Sequence, residues 1–370
     1  MNKKIAIIIF LLALGMFLFL KQDAISPTDQ NVDQIKDVEI IADNLEIPWD
    51  IAFLPASGGS DDGKMLITER PGRLSIASQT GELKEIALEG VRHAGEGGLL
   101  GVTIHPKFSE NHYVYLYFSS GYSKSQTRNR VERYRLENDF LTDKKIIIDN
   151  IPGALYHDGG RIEFGPDGLL YITTGDATDS KIAQDKNSLG GKILRLRDDG
   201  SIPDGNPFGT AIWSYGHRNP QGIAWDSAGR LWETEHGRSG VLSGLDELNL
   251  IRAGENYGWP DIEGDKTKSG MVQPVLHSGA DVTWAPASLV YLNGSLFFGG
   301  LRGEALYEAV LNGERVEEFK THFKNEFGRI RTVRIGPDGM LYLTTSNRDG
   351  RGDSKEGDDK IIRVNPASLR

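Results

Sequence analysis

The chain contains no cysteine among its 370 residues. Disulfides, thiolate metal sites and cysteine nucleophiles are therefore excluded, as is lipoprotein processing of the N-terminus. A basic excess is also missing: 42 Lys and Arg stand against 52 Asp and Glu, a net charge of −10. Nucleic acids and anionic membranes recruit basic patches, so neither is an expected partner. No two-His helical motif and no His-x-His pair occurs, which argues against zinc or iron, and there is no G-x-S-x-G elbow. From Val38 onward no segment keeps a helical hydrophobic period over ten residues.

One long apolar run is present. Lys3 and Lys4 precede Ile5 to Leu20, which is free of charge, and Lys21 ends it. A basic start followed by an apolar stretch is the pattern of an export signal, so residues 1–21 are expected to export the chain or to anchor it. Residues 22–37, rich in Asp and Gln, are expected to be a tether. Residues 38–370 are expected to form the functional domain.

Glycine is plentiful at 45 residues, which suits an architecture of many tight turns. The strongest internal signal is a near-duplicate. The segment from Gly165 to Asp176 matches the one from Gly336 to Asn347 at eight of twelve positions, both opening on Gly-Pro-Asp-Gly. Pro fixes one dihedral and Gly supplies φ > 0, so each is a hairpin turn between apolar strands. Weaker copies run over Phe53–Arg70, Val102–Ser119, Ile223–Glu235 and Leu289–Gly299. With Leu66, Tyr115, Tyr171, Trp232, Phe297 and Tyr342 as equivalent points, the spacings are 49, 56, 61, 65 and 45 residues. Such units are of propeller-blade size. The expected fold is all-β, a six-bladed β-propeller of four-stranded antiparallel blades. The strand near Val38–Ile41 should close the ring beside Lys360–Val364.

A propeller builds its site from loops at one mouth of the central channel, so the candidate residues are scattered. His157, flanked by glycines at a strand entry, is a candidate general base, and Asp176 could return beside it through the same hairpin. The segment from Tyr215 to Gly222 packs His217, Arg218, Asn219 and Gln221 together. Its forked donors suit carboxylates, although a hydrogen-bonded turn between blades would use the same residues. Arg329 and Arg331 share one side of a strand and suggest an anionic ligand, unless that face is simply exposed. Residues 233–260 hold acids and glycine-bounded turns, the hard oxygen donors that calcium prefers. Two matches are set aside. Gly58–Lys64 fits a phosphate loop except that Met65 replaces the required Ser or Thr, and Arg351-Gly352-Asp353 is expected to be solvated turn sequence.

Seven segments in order resemble the soluble quinoprotein glucose and aldose sugar dehydrogenases. They are Gly95–Gly101 with His105-Pro106, HDGGRIEFGPDG from His157, YGHRNPQG from Tyr215, EHG from Glu235, DELNLI from Asp246, NYGWP from Asn256, and the arginine pair 329/331. The resemblance implies oxidation of an aldose at C1 to its lactone, by hydride transfer to pyrroloquinoline quinone (PQQ) beside Ca2+. It implies His157 as the base, Asp176 behind it, and Arg218 near the reacting carbonyl. Glu96, Asn219, Gln221, Arg329 and Arg331 match neighbours of the cofactor. Arg302 stands near a position where some relatives have lysine. Main-chain carbonyls of Gly237 and Arg238 match the ligands of the cofactor's calcium, while Glu247 and the carbonyl of Tyr257 match a second, structural calcium. Gly237-Arg238 departs from the family's frequent Gly-Pro, and the loop to Asp246 is longer. The implied partners are a small-molecule aldose and an external electron acceptor, a quinone or cytochrome, in a periplasmic or extracellular monomer or homodimer. A calcium-dependent hydrolase of lactones or phosphoesters, or a non-enzymatic binding propeller, would show many of the same acids and turns without needing the arginines.

Overall fold

The structure is a computed structural model that describes residues 37–55, 63–78, 80–123, 126–240 and 243–369. The segments expected as export signal and tether, apart from Asp37, and residues 58–62 of the rejected phosphate-loop match lie outside the described residues. Asp37–Arg370 make up one compact unit. Among the described residues no helix is long and apolar enough to cross a membrane.

Among the described residues, twenty-four strands form six four-stranded antiparallel sheets. The first blade comprises β2 (Pro48–Phe53), β3 (Met65–Glu69), β4 (Arg73–Ala77) and β5 (Leu83–Ile86). The second comprises β6 (Leu99–Ile104), β7 (Tyr113–Ser123), β8 (Gln126–Glu137) and β9 (Phe140–Pro152). The third comprises β10 (Ile162–Phe164), β11 (Leu170–Thr174), β12 (Lys192–Leu196) and β13 (Ile212–Tyr215). The fourth comprises β14 (Pro220–Trp225), β15 (Leu231–Glu235), β16 (Glu247–Ile251) and β17 (Leu276–His277). The fifth comprises β18 (Pro286–Leu292), β19 (Ser295–Gly300), β20 (Ala305–Asn312) and β21 (Arg315–His322).

The sixth blade joins the two ends of the domain: β22 (Ile330–Ile335), β23 (Leu341–Thr345) and β24 (Ile361–Val364) are completed by β1 (Val38–Ala42). Val38 pairs with Val364 and Ile40 with Ile362, the closure expected from sequence. All six repeat points, Leu66 to Tyr342, fall on the second strand of their blades. Both Gly-Pro-Asp-Gly turns join a first strand to a second, with Gly168 N–H on Gly165 O and Gly339 N–H on Gly336 O, each at 2.9 Å.

A single blade cannot cover its own faces, and the burial pattern shows how the ring solves this. Six hydrophobic clusters are distributed one to each blade interface. Leu66 and Leu74 meet Leu99 and Leu116 between blades one and two. Tyr115 and Tyr117 meet Ile162 and Ile172 between two and three. Tyr171 meets Ile223 and Leu231 between three and four, and Trp232 meets Phe298 and Tyr307 between four and five. Phe297 meets Val333 and Leu343, and Tyr342 returns to Ile51 and Ile67 of the first blade.

Polar groups tie the first strands across the channel. Asp50 of β2 forms an ion pair with Arg161 at 2.5 Å and accepts from Arg334 of β22 at 2.9 Å, with all three buried or nearly so. Arg161 Nε also donates to the carbonyl of Gln221 at 3.0 Å. Arg161, although part of the motif around His157, is therefore a buried strut joining three blades.

Candidate active site

A cavity of about 540 Å3 opens where the loops between blades converge. His157, Arg218, Glu96, Arg302, Arg329, Gly237 and Arg238 line it. These seven come from six loops, four between blades (Glu96, His157, Arg218 and Arg329) and two within blades four and five (Gly237 with Arg238, and Arg302), so the fold alone brings them together.

His157 lies on the link between β9 and β10, in the left-handed region at φ 64°. Its carbonyl presses against Gly175 at the end of β11, where a Cβ would lie 1.9 Å from that oxygen. Only glycine allows this approach, and it delivers the next residue, Asp176, to the imidazole. His157 Nδ1 and Asp176 Oδ1 are 2.7 Å apart. The carboxylate is itself fixed, since Thr178 N–H donates to Oδ1 and Trp259 Nε1–H to Oδ2, both at 2.8 Å. An acceptor held against Nδ1 keeps the proton there and leaves Nε2 with its lone pair. The His157 backbone N–H donates to Glu96 Oε2 at 3.1 Å, which anchors the loop from the other side.

Glu96 is held ionised. Burial pushes its carboxyl up, but the positive charges of His236 and Arg351 and hydrogen bonds from Arg351 and His157 N–H bring it down to about 2. Burial also pushes His236 down to about 3, so that ring is neutral near pH 7. With His236 uncharged, Arg351, 2.6 Å from Glu96, remains the cation that holds the carboxylate. Arg351 also lies over the exposed ring of Tyr156 at 5.4 Å. The turn is exposed, as expected, but Arg351 also pairs with Glu96 and forms part of the cavity wall.

Beneath the cavity the arginines gather. Arg329 bonds Asp349 through Nε at 3.1 Å and Nη2 at 2.7 Å. Arg331 is 3.9 Å from the same carboxylate and donates to Gln221 Oε1 at 3.2 Å. Arg70, also buried, reaches the Asp349 carbonyl at 3.4 Å. Burial first, then the cations of Arg70 and Arg329 against Asp349, bring Arg331 down to about 9. Three buried guanidiniums around one shared carboxylate leave positive charge uncompensated, a setting for an anion.

Arg218 is similarly placed. Its Nη1 donates to His236 O at 3.2 Å and its Nη2 to Ser239 Oγ at 2.7 Å, while its buried Nε has no partner. Burial lowers its pKa despite Asp176 and Glu235 nearby. His236 Nε2 is likewise buried without a partner beside the cavity. Arg302 is exposed and bonds Ser243 Oγ at 2.9 Å.

Not every expected residue reaches the large cavity. Gln221 and Arg331 line a smaller space below it, together with Trp49, Asp158 and His236. Asn219 is wholly buried; its Oδ1 accepts Gly159 N–H at 3.0 Å and its Nδ2 has no partner. Glu247 and Tyr257 line a separate space of about 10 Å3 with Glu235, Gly237 and Glu263. That is the size of a single water or ion. Burial and the charge of Glu235 push Glu247 up to about 8, a cost that a bound cation would relieve.

The longer loop after Gly237 is pinned at both ends. Asp246 accepts Gly237 N–H at 2.8 Å on one oxygen, and Trp284 and Ala285 N–H at 2.7 and 2.9 Å on the other. Arg238 N–H donates to Gly244 O at 2.9 Å. A Cβ on Gly237 would lie 2.2 Å from Leu245 O and 2.3 Å from Gly244 O, so carbonyls crowd this point.

Sequence reasoning gave no role to Arg70 or Asp349, and quoted Tyr156, Asp158 and His236 only inside motifs. Asp158 has one buried oxygen bonded to Asn129 Nδ2 at 2.9 Å and the other without a partner. Burial pushes it up to about 7, against the hydrogen bonds from Asn129 and Ala154. A carboxyl that titrates higher when folded keeps its proton longer in the native state. Its contribution is complete below the unfolded pKa of about 3.9 and is lost as pH rises through about 7. Thermal melts between about pH 5 and about pH 8 should therefore fall less steeply in Asp158→Asn than in the wild type, by up to a few kcal/mol.

A family model described as Glucose / Sorbosone dehydrogenase matches residues 45–362. The chain is 35% identical to aldose sugar dehydrogenase YliI of Escherichia coli, over 89% of this chain and 92% of that protein. The PQQ-bound aldose sugar dehydrogenase of Streptomyces coelicolor superposes with a TM-score of 0.80 at 40% identity, covering 88% of this chain and 97% of the other. A putative oxidoreductase (glucose dehydrogenase) of Thermus thermophilus gives a TM-score of 0.81 at 44% identity, over 88% and 98% of the two chains. This chain belongs to the glucose/sorbosone dehydrogenase family, as a sugar dehydrogenase of its quinoprotein type.

Proposed function

We propose that the chain oxidises an aldose at C1 to the lactone, with PQQ as hydride acceptor, Ca2+ beside it and His157 as general base. The observation behind this reading is the His157–Asp176 pair, 2.7 Å apart, opening on a cavity lined by Arg218, Arg302 and Arg329.

The residues suit both groups. A cofactor with three carboxylates needs cationic forks, and the buried, unpartnered Nε of Arg218 and Nε2 of His236 offer donors at the wall. The main-chain carbonyls of Gly237 and Arg238, residues of the cavity wall, are hard oxygen donors of the kind calcium takes. Glu247, with the Tyr257 carbonyl, would hold the second, structural ion in the small space they line. When bound, the quinone supplies the two-electron acceptor and calcium a Lewis acid next to it.

His157 Nε2 takes the proton of the anomeric hydroxyl, and Asp176 stabilises the imidazolium that results. Arg218 places a fixed positive charge where negative charge develops, at no cost of reorganisation. Glu96 and Arg351 close the mouth beside Tyr156 and hold the His157 loop in place. Residues 1–21 would export the chain, and an external quinone or cytochrome would take the electrons. A calcium-dependent hydrolase would have no use for the buried arginines.

The reading is tested with chelator-treated protein reconstituted with PQQ and calcium. An aldose should then drive reduction of a two-electron dye acceptor with one lactone formed per dye reduced. Lactone hydrolysis with no quinone requirement would instead favour the hydrolase.

A further inference from the structure

In the fourth blade a second group of acids lies away from the large cavity. Glu233 and Glu235 on β15 stand opposite Asn249 and Glu247 on β16. Residues two apart on a strand share a face, so all four project from the same side of the sheet. Like charges directly opposite each other are unfavourable, and Glu235 faces Glu247. Glu233 and Asn249 are wholly buried, and Glu235 and Glu247 are 3% and 7% exposed. Among the described residues no Lys or Arg side chain forms an ion pair with any of the three carboxylates. The one partner of that kind is His217, whose Nδ1 is 3.2 Å from Glu235 Oε1 and whose Nε2 is held by Ser214 Oγ at 2.8 Å.

The amide of Asn249 points into this cluster. Its Nδ2 lies 3.1 Å from Glu233 Oε2, 3.3 Å from Glu235 Oε1 and 3.4 Å from Glu247 Oε2. An amide has two N–H bonds and cannot satisfy three carboxylates. Meanwhile Asn249 Oδ1 and Glu233 Oε1 are buried with no partner at all. Turning the amide by half a turn costs no volume and places Oδ1 at the position of Nδ2. The separations from that oxygen to the three carboxylates would then match neighbouring ligands around a cation, and Glu233 and Glu235 offer oxygens within 4.8 Å of each other. With calcium–oxygen bonds of about 2.3–2.6 Å, adjacent octahedral ligands are roughly 3.3–3.7 Å apart, whereas magnesium would draw them to about 2.9 Å.

We propose that Glu233, Glu235 and Asn249, with one oxygen of Glu247, hold a buried divalent cation of calcium size. The site adjoins the small space lined by Glu235, Glu247, Tyr257 and Glu263 but is distinct from it, because Glu233 and Asn249 do not border that space. It also has a consequence for the mouth. Glu235 Oε2 accepts Arg218 N–H at 2.6 Å, so an ion here fixes the carboxylate that holds Arg218 in place.

The test uses the full chain, stripped with chelator and titrated with calcium alone, without quinone or sugar. Equilibrium dialysis should find one more tightly bound calcium per chain in the wild type than in Glu233→Gln, with the affinity of that ion reduced at least tenfold. Glu263→Gln should keep it. Asn249→Asp adds an oxygen donor and should show a larger calcium-dependent rise in Tm than the wild type, which decides the matter if Glu233→Gln does not fold. Equal calcium numbers and affinities in the wild type and Glu233→Gln, or an Asn249→Asp Tm indifferent to calcium, would overturn the proposal. Because no quinone is present, failure of the dehydrogenase reading would leave these counts unchanged.

Discussion

His157→Ala should lower kcat of the reconstituted protein by 10²- to 10⁴-fold, the usual contribution of a positioned general base. The loss should fall on kcat rather than on quinone binding. The cationic contacts proposed for the quinone belong to Arg218, Arg329 and Arg331, none of which bonds the imidazole. The backbone N–H that meets Glu96 survives the substitution, so the loop should keep its anchor. Titration of the quinone into the variant, followed by absorbance, checks this half of the expectation. A rate within about twofold of the wild type would remove His157 from the mechanism.

Asp176→Asn should cost on the order of 10³-fold in kcat, although it changes a single atom of the side chain. The carboxylate accepts from three donors: His157 Nδ1–H, Thr178 N–H and Trp259 Nε1–H. An amide cannot accept at both ends. If its NH2 faces His157, the ring shifts its proton to Nε2 and stops being a base towards the cavity. If its oxygen faces His157, the NH2 meets the indole N–H and a hydrogen bond becomes a repulsion. Asp176→Ala, which forces neither conflict, should be less impaired than Asp176→Asn in kcat. Steady-state kinetics on the two variants, with KM and kcat separated, distinguishes this tautomer effect from a simple loss of structure. An Asn variant as active as the wild type would show that Asp176 does not set the tautomer.

Much of the architecture was legible because a propeller repeats its own instructions. The Gly-Pro-Asp-Gly turns and six evenly spread aromatic or aliphatic points identify the second strand of each blade. The His157–Asp176 pairing was legible for a local reason: one hairpin joins them, and Gly175 leaves room for the return. The rest depends on contacts that no local pattern records. Arg351 looks like a solvated turn because its partner, Glu96, lies 255 positions away in the chain. Asp349 gives no sign in sequence that it will sit between Arg329 and Arg331, and Arg70 reaches the same place from the first blade. Nor does the motif around Asn219 show that its Oδ1 holds Gly159 N–H while its Nδ2 is left without a partner. Motif order identifies which loops meet at the mouth. Which side chains face the ligand is decided by packing between blades.

The most direct test of C1 oxidation is a single turnover without external acceptor. Protein loaded with PQQ and calcium is mixed anaerobically with an aldose, either unlabelled or deuterated at C1, while the absorption of the cofactor is followed. Stoichiometric reduction, several-fold slower with the deuterated sugar and nearly abolished in His157→Ala, is the expected result. A cofactor that is bound but unchanged by any aldose, or a reduction rate indifferent to deuterium and to His157, would contradict it.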